Sequence, residues 1–515
     1  MNYILGIDQG TSGTKALLFD EQGKPVAKGS ETLKTSYLEN GHVEQDPEHI
    51  IQNVLAAVGQ CLETFKATGG QLSAIRACGI SNQRETFVLW DKDGKPLYNA
   101  VVWQCKRSVD ICSRWKSAGY GEFIRSRTGL LIDPYFSGSK LVWLYENNAA
   151  IRNKIDAGEA YFGTVDTWLL YRLTGGESYY TDHTNASRTL FFNLRGLDWD
   201  RDLLKTFGVG NLRLPEIKSS SWNFGGSDFD GLLPAPIPIT GMIGDSHAAA
   251  FGEGCFAPGE AKATLGTGCS ILMNTGTQCR ESRNGMVSTI CWSTAETVHY
   301  ALEGVIVTCG ATLEWLKNEL NLFTDSRQTQ EMANAVKDNG GVYLIPAFSG
   351  LGAPHWQMDR KASITGLTFS TQKNHIVRAA LESIPYQIKD VIVAMEADTA
   401  GDSRPADRAP DEAAPAAEGG GALRLRRLMV DGGISANTFV VQFLADLLEK
   451  EVVTIGQPDI SALGAAYMAG LKVGLYPGVD YLRTLNAEKK QFTPAPSSKA
   501  SAYYKGWLDA LATSG

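Results

Sequence analysis

The stretch that most limits what this chain can become is Ile4-Leu5-Gly6-Ile7-Asp8-Gln9-Gly10-Thr11-Ser12-Gly13-Thr14-Lys15, continued by Ala16-Leu17-Leu18-Phe19-Asp20. It reads as an apolar strand, a tight glycine turn crowded with hydroxyls, and a second apolar strand. Glycines let a backbone approach a bulky anion, and the freed N–H groups and the hydroxyls of Thr11, Ser12 and Thr14 can donate to phosphate oxygens. Asp8, at the strand end, suits a metal ion held directly or through water, and Lys15 adds a positive charge. A strand rather than a helix follows, which separates this turn from the GxxxxGK[ST] phosphate loop and the GxGxxG fingerprint. Most glycine hairpins only join strands; this one gains weight because its grammar recurs. Glu260–Leu272 is again strand, Gly266-Thr267-Gly268 turn, strand, and Leu428–Asn437 is a strand and glycine turn entering a helix. Two halves that each offer a phosphate-shaped turn point to a duplicated fold gripping one nucleotide between them.

Composition narrows the class. The chain has 515 residues, too many for one core, so two domains are expected. A net charge of −8 argues against non-specific nucleic-acid binding. No apolar run approaches the ~20 residues that span a bilayer, and Met1-Asn2-Tyr3 does not open a signal peptide. The nine cysteines are scattered, odd in number and without a CxxC pair. They read as free thiols in a reducing cytoplasm, not as a disulfide framework or zinc site.

In chain order, the next strong signal is a helix. Asp46 is a good N-cap, Pro47 suits the first helical position, and Ile50, Ile51, Val54, Leu55, Val58, Leu62 and Phe65 fall on one face before Gly69-Gly70. Ala74–Ile80 reads as a buried strand running into the polar cluster Ser81–Thr86. Phe87–Trp90 and Tyr98–Trp103 flank the hairpin signal Asp93-Gly94. By composition Arg84-Glu85 reads as a surface ion pair and Trp103 as a core residue; the alternative is that all three meet at a pocket. Tyr135–Leu144 reads as a loop entering a helix with Trp143 and Leu144 buried, Phe162–Leu169 as a strand end and helix start, and Thr184–Arg188 as a polar turn. The Gly-, Asp- and Pro-rich residues 225–238 mark a boundary. Ile237–Gly252 then reads as a strand, an acid (Asp245) at its carboxyl end, and a small-residue helix, the place where ligands sit in open α/β sheets; an ordinary helix cap is the alternative for Asp245. His247 has no metal-spaced partner and reads as structural. Ser461–Gly470, the last helix the pattern signals, is built of small residues that permit close backbone approach. Residues 399–422 are rich in Ala, Pro, Gly and Asp and read as a mobile surface loop.

At these residues the chain resembles the FGGY carbohydrate kinase family, and within it most closely the members that phosphorylate glycerol. The resemblance runs from Ile4 to about Gly474. Both family signatures are present, Tyr135–Asn147 with Lys140 and Trp143, and Ala362–Glu382 with Gly366, His375 and Glu382. The blocks Ile80–Glu85, Trp103-Gln104-Cys105, Arg127–Gly138, Phe162–Leu169 and Tyr343–Pro354 follow in the family's order. The resemblance implies an α/β fold of two actin-like ATPase (ribonuclease H-like) domains, 1–252 and 253–515, with an interdomain nucleotide cleft and an insertion at 399–422.

It also implies roles. Thr11, Ser12, Gly13 and Lys15 would contact the nucleotide phosphates of ATP; Thr267 and Gly310 would face them from the second domain; Gly433 and Asn437 would hold the adenosine side, and Glu314 would belong to the same nucleotide site. Asp8, with Asp245, would place Mg2+. Arg84, Glu85, Trp103, Tyr135, Asp245, Ser246 and Ser270 would bind the acceptor, with Asp245 as general base. The partners implied are a small polyol and further copies of the chain in a homodimer or homotetramer, with no nucleic acid and no membrane. Two positions depart from the glycerol pattern: Ser246 stands where Gln is usual and Ser270 where Phe is usual, which makes a roomier, wetter site. The opening turn also looks more like that of a pentulose kinase. The Gly-Gly-Thr-Arg loop tied to fructose-bisphosphate inhibition in some bacterial members is absent near 225–236. Glycerol is the first acceptor expected; a four- or five-carbon polyol or ketose, or a non-catalytic nucleotide-binding role, are the alternatives.

Overall fold

The computed structural model describes residues 1–400, 422–456, 459–485, 489–496 and 499–513. The opening stretch forms β1 (Tyr3–Gly10) and β2 (Gly13–Phe19), paired antiparallel with Ile4 opposite Phe19 and Gly10 opposite Gly13. With β3 (Pro25–Thr32), β4 (Ile75–Asn82), β5 (Ser221–Ser227) and β6 (Ile237–Gly244) they make a six-stranded sheet in the order β5-β6-β4-β1-β2-β3. β4 runs parallel to both β1 and β6, which buries both faces of the centre and accounts for its apolar runs. Helix α1 (Pro47–Ala67) covers one face. Asp46 caps it as expected, accepting from the Glu48 amide at 2.9 Å, and its apolar stripe is buried apart from a half-buried Leu55.

A smaller five-stranded sheet (Ser36–Tyr37, Val43–Gln45, Phe87–Trp90, Ala100–Val101, Tyr161–Thr164) and helix α2 (Ser137–Asn147) extend this lobe and carry the loops bearing Trp103 and Tyr135.

The second half repeats the plan. β7 (Glu260–Leu265), β8 (Cys269–Gly276), β9 (Val287–Ser293), β10 (Val298–Ile306), β11 (Arg427–Asp431), β12 (Glu451–Ile455) and β13 (Lys489–Phe492) form a seven-stranded sheet in the order β9-β10-β8-β7-β11-β12-β13. Its centre, β10-β8-β7-β11-β12, matches β3-β2-β1-β4-β6 strand for strand, with the same antiparallel and parallel pairings. Helix α3 (Asp245–Gly252) follows β6, and α4 (Gly310–Asn318) follows the second sheet's hairpins. Helices α5 (Lys373–Ala400) and α6 (Thr438–Leu448) cover the sheet's outer face. Helix α7 (Ile460–Lys472) returns to lie beside α3, and the two fill the layer between the sheets: Ile4, Ala77 and Ile243 meet them from one side, Leu272, Met429 and Val453 from the other. The approach is close because the residues are small. A Cβ on Gly464 would stand 1.8 Å from the Ala248 carbonyl oxygen.

Some expectations change. Residues 225–238 are not a domain boundary: they are the end of β5, the turn after it and the start of β6, antiparallel neighbours in one sheet, and turn composition alone cannot tell a hairpin from a linker. Thr184–Arg188 includes a one-turn helix, His183–Ala186, whose amides are capped by Asp182. Trp143 is half-buried, its ring covered by the Arg107 guanidinium at 5.2 Å rather than by hydrocarbon alone. Ser461–Gly470 is followed by two further helices, Val479–Leu485 and Ala500–Thr513. The loop expected at 399–422 lies outside the described residues except at its ends, where Thr399 still belongs to α5. The nine cysteines form no disulfide among the described residues, and no helix of the described residues is long and apolar enough to cross a membrane.

Candidate active site

Three parallel strands deliver their carboxyl ends to one point. Thr11 follows β1, Arg84 and Glu85 follow β4, and Asp245 follows β6 as the first residue of α3. They line a cavity of about 290 Å³ with Trp103, Tyr135, Ser246 and Ser270. The expected acceptor residues are therefore together, joined by Thr11, whose hydroxyl accepts a 2.8 Å bond from the Trp103 indole N–H. Trp103 and Tyr135 meet edge to face, 5.5 Å between ring centres, and make the apolar wall. Tyr135 is held from behind: the Lys140 ammonium donates to the carbonyls of Pro134 and Tyr135 at 2.7 and 2.6 Å. Burial brings the pKa of that ammonium down to about 8.

Arg84 and Glu85 are not a surface ion pair; both are buried and they bind other groups. Arg84 donates from Nε to Asp245 Oδ1 at 3.0 Å and from Nη1 to Glu303 Oε1 at 2.9 Å. Arg188 donates from Nε to Glu85 Oε1 at 2.5 Å and from Nη1 to Glu303 Oε2. The result is a chain, Asp245–Arg84–Glu303–Arg188–Glu85, running beneath the cavity and joining the two lobes through Glu303 on β10. Burial raises the Glu85 carboxyl despite its arginines. Glu303 goes the other way: burial alone would raise it, but Arg188 and Arg84 together hold it far below the usual carboxylate range. Glu85 also holds φ 61°, a left-handed backbone rare for glutamate; its carbonyl accepts from Ser137 Oγ at 2.7 Å.

Asp245 is the exception in exposure, its side chain 40% accessible. Arg84 and the Ser246 amide both donate to its Oδ1, so Oδ2 has no partner among the described residues. Asp245 is not the N-cap of α3; that residue is Gly244, and no side chain caps the helix. Asp8 lies nearby, accepting from Ser81 Oγ at 2.9 Å. Burial, then the charge of Asp245, push its carboxyl up to about 6. Two neighbouring carboxylates, with the charge of Asp245 disfavouring the ionised form of Asp8, fit a hard cation between them. Among the described residues no set of three or more His, Cys, Asp or Glu forms a metal cage, so phosphate and water oxygens would complete the shell, as Mg2+ requires. His247, read as structural, is fully buried with neither ring nitrogen partnered.

A second cavity, about 740 Å³, opens between the Gly266 turn, the start of α4 and the turn after β11. Thr267, Gly310, Glu314, Gly433 and Asn437 line it together, and Leu265, Leu313 and Ile434 supply apolar surface suited to a flat base. Asn437 also caps α6 through Oδ1. The opening turn is placed less simply. Ser12 is exposed. Gly13 is demanded by its neighbour strand, since a Cβ there would stand 2.4 Å from the Glu31 carbonyl oxygen. The Lys15 ammonium is occupied, 2.8 Å from Asp459 Oδ1, and Lys28 shares the same carboxylate at 2.6 Å. A wider groove of about 920 Å³ beside the start of α1 contains none of the candidate residues.

Four residues of this region escape a reading of the sequence: Arg188, Lys262, Glu303 and Asp459. Lys262 and Glu303 did carry a signal, a lone charge inside an apolar strand (Ala261-Lys262-Ala263 and Leu302-Glu303-Gly304). Arg188 and Asp459 sit in polar turns and carried none.

Residues 3–252 match the N-terminal domain, and 261–473 the C-terminal domain, of the FGGY family of carbohydrate kinases. Glycerol kinase of Desulfitobacterium hafniense is 42% identical over 511 residues, covering 99% of this chain and 98% of that protein. Glycerol kinase 2 of Thermotoga maritima is 42% identical over 516 residues, 100% and 99% of the two chains. The crystal structure of Plasmodium falciparum glycerol kinase with ADP superposes with a TM-score of 0.90 at 34% identity, covering 100% and 98%.

Proposed function

This chain belongs to the FGGY family of carbohydrate kinases, and we propose on that premise that it transfers the γ-phosphoryl group of ATP to glycerol, giving glycerol 3-phosphate and ADP. The observation that carries the proposal is Asp245. It presents an unengaged carboxylate oxygen to a small polar cavity while Arg84 fixes its other oxygen. A neutral hydroxyl is a poor nucleophile, so a carboxylate in reach must take its proton as attack develops. The acceptor lies against Trp103 and Tyr135, and its other hydroxyls pair with Arg84 and Glu85. As the terminal oxygen bonds to the γ-phosphorus, the bond from that phosphorus to the β,γ-bridging oxygen breaks, the proton passes to Asp245, and ADP leaves.

The remaining groups position and offset charge. Thr11, Ser12 and Gly13 offer hydroxyl and amide donors to the phosphates, Lys15 leaves Asp459 for them, and Thr267 and Gly310 face them from the opposite lobe. Gly433, Asn437 and Glu314 hold the adenosine end. Asp8 and Asp245 are the residues that would hold Mg2+, which when bound neutralises phosphate charge. We assign the acceptor side to 1–252 and the nucleotide side to 253–515, although α7 of the second segment packs on the first sheet. A homodimer or homotetramer in the cytoplasm fits the family resemblance, and light scattering tests the assembly.

ADP release with glycerol, and product identified as glycerol 3-phosphate, are the expected results. Asp245→Asn lowers kcat by about a thousandfold while ADP binding, read by calorimetry, is retained. A wild type inert towards every polyol ends the proposal.

A further inference from the structure

Lys262 is a buried cation with work undone. Its side chain lies on β7 and reaches the acceptor cavity with 1% residue exposure. Its one hydrogen bond goes to Ser246 Oγ, at 2.8 Å, and no carboxylate stands within ion-pair distance of it among the described residues. An ammonium has three donors, and burying one against a single neutral hydroxyl is costly unless other acceptors arrive. Register explains why these groups converge. Thr264 stands opposite Ser270 across the β7–β8 pair, and side chains two apart share a face, so Lys262, Thr264 and Ser270 all point towards α3. There Ser246 Oγ lies 3.2 Å from Ser270 Oγ, and Ser270 Oγ lies 3.4 Å from Glu303 Oε1. The wall is therefore a relay: a strong donor at one end, two hydroxyls that can turn either way, and an acceptor at the other.

We propose that Lys262, Ser246 and Ser270 form a subsite for one further hydroxyl of the acceptor, so that the enzyme phosphorylates linear four- and five-carbon polyols as well as glycerol, with Lys262 setting that range. This rests on the polyol kinase reading above. A neutral hydroxyl fits better than a carboxylate, because the cavity is already lined by three carboxylates, Glu85, Asp245 and Asp431, against two cations, Arg84 and Lys262. It accepts from Lys262 and donates to Ser270, which neither an anion nor a hydrocarbon can do.

The full chain is assayed with ATP and, separately, glycerol, erythritol and xylitol. Wild type is expected to phosphorylate erythritol or xylitol as well as glycerol. Lys262→Met and Ser270→Ala are expected to lower kcat/KM for the longer polyol about tenfold more than for glycerol, through KM rather than kcat. If Lys262→Met fails to melt cooperatively, Ser270→Ala makes the same comparison. Glycerol turnover with neither longer polyol accepted overturns the subsite and leaves the glycerol reading standing. Equal losses on all acceptors also overturn it, since the ammonium then serves the transferred phosphoryl group. No turnover with any polyol removes the underlying reading itself.

Discussion

Arg84 touches two carboxylates and treats them differently. Asp245 keeps an oxygen free for chemistry, whereas Glu303 is enclosed, held by two guanidiniums and, at longer range, by the Ser270 hydroxyl. That difference predicts a pH signature. In the unfolded chain Glu303 protonates near 4.5, while in the folded state it stays ionised far lower. Its contribution is full at neutral pH and drains away as pH falls below the unfolded value, because the unfolded chain then binds the proton that the folded one refuses. Urea midpoints between pH 7 and 4 should fall more steeply for wild type than for Glu303→Gln. At pH 7 that variant should be destabilised by about 3–5 kcal/mol, since two buried guanidiniums lose their shared partner. Equal slopes would refute the assignment. Asp8 and Asp245, each beside a strand end, were legible because motif and strand pattern coincide there, whereas Arg84 and Glu85 looked like a surface ion pair by composition and only the family resemblance drew them to the site. Arg188 was not legible, because its meaning depends on carboxylates brought to it by folding, and a polar turn looks the same with or without them.

Among elements, α7 tests how far small residues define a packing layer. Gly464→Ala would ordinarily favour a helix by about 1 kcal/mol. Here the added methyl has no room against the Ala248 carbonyl, so α3 and α7 must separate. The expected outcome is net destabilisation of about 1–3 kcal/mol, read as a lower urea midpoint; an unchanged or higher midpoint would show that the layer is loose. Elements with a two-ended signature were readable from sequence, α1 above all, with its cap, stripe and terminal glycines. The 225–238 connection was misjudged because glycine, aspartate and proline specify a change of direction and not what the chain does afterwards.

For the whole molecule, the duplicated sheet order was foreshadowed by the recurring glycine turns, but the contacts that join the lobes were not, since each pairs residues distant in sequence. Lys15 and Lys28 on the first sheet share Asp459 at the start of α7. On the proposed assignment of Lys15 to the phosphates, an incoming triphosphate competes with that carboxylate. Asp459→Asn should therefore lower the KM for ATP by up to about fivefold, an advantage that shrinks as salt screens it, and should cost less than about 1 kcal/mol of stability. A KM for ATP that is unchanged or higher would place Lys15 outside nucleotide binding.

Glu303 has a consequence for how substrates come and go. A carboxylate locked by arginines from the opposite lobe acts as a spine, and a book opens along the edge away from its binding. Breathing should be largest at the mouth of the cavity lined by Gly433 and least behind the cavity lined by Arg84, so amide exchange in β10 and around Arg188 should be slow while the Gly433 turn exchanges fast.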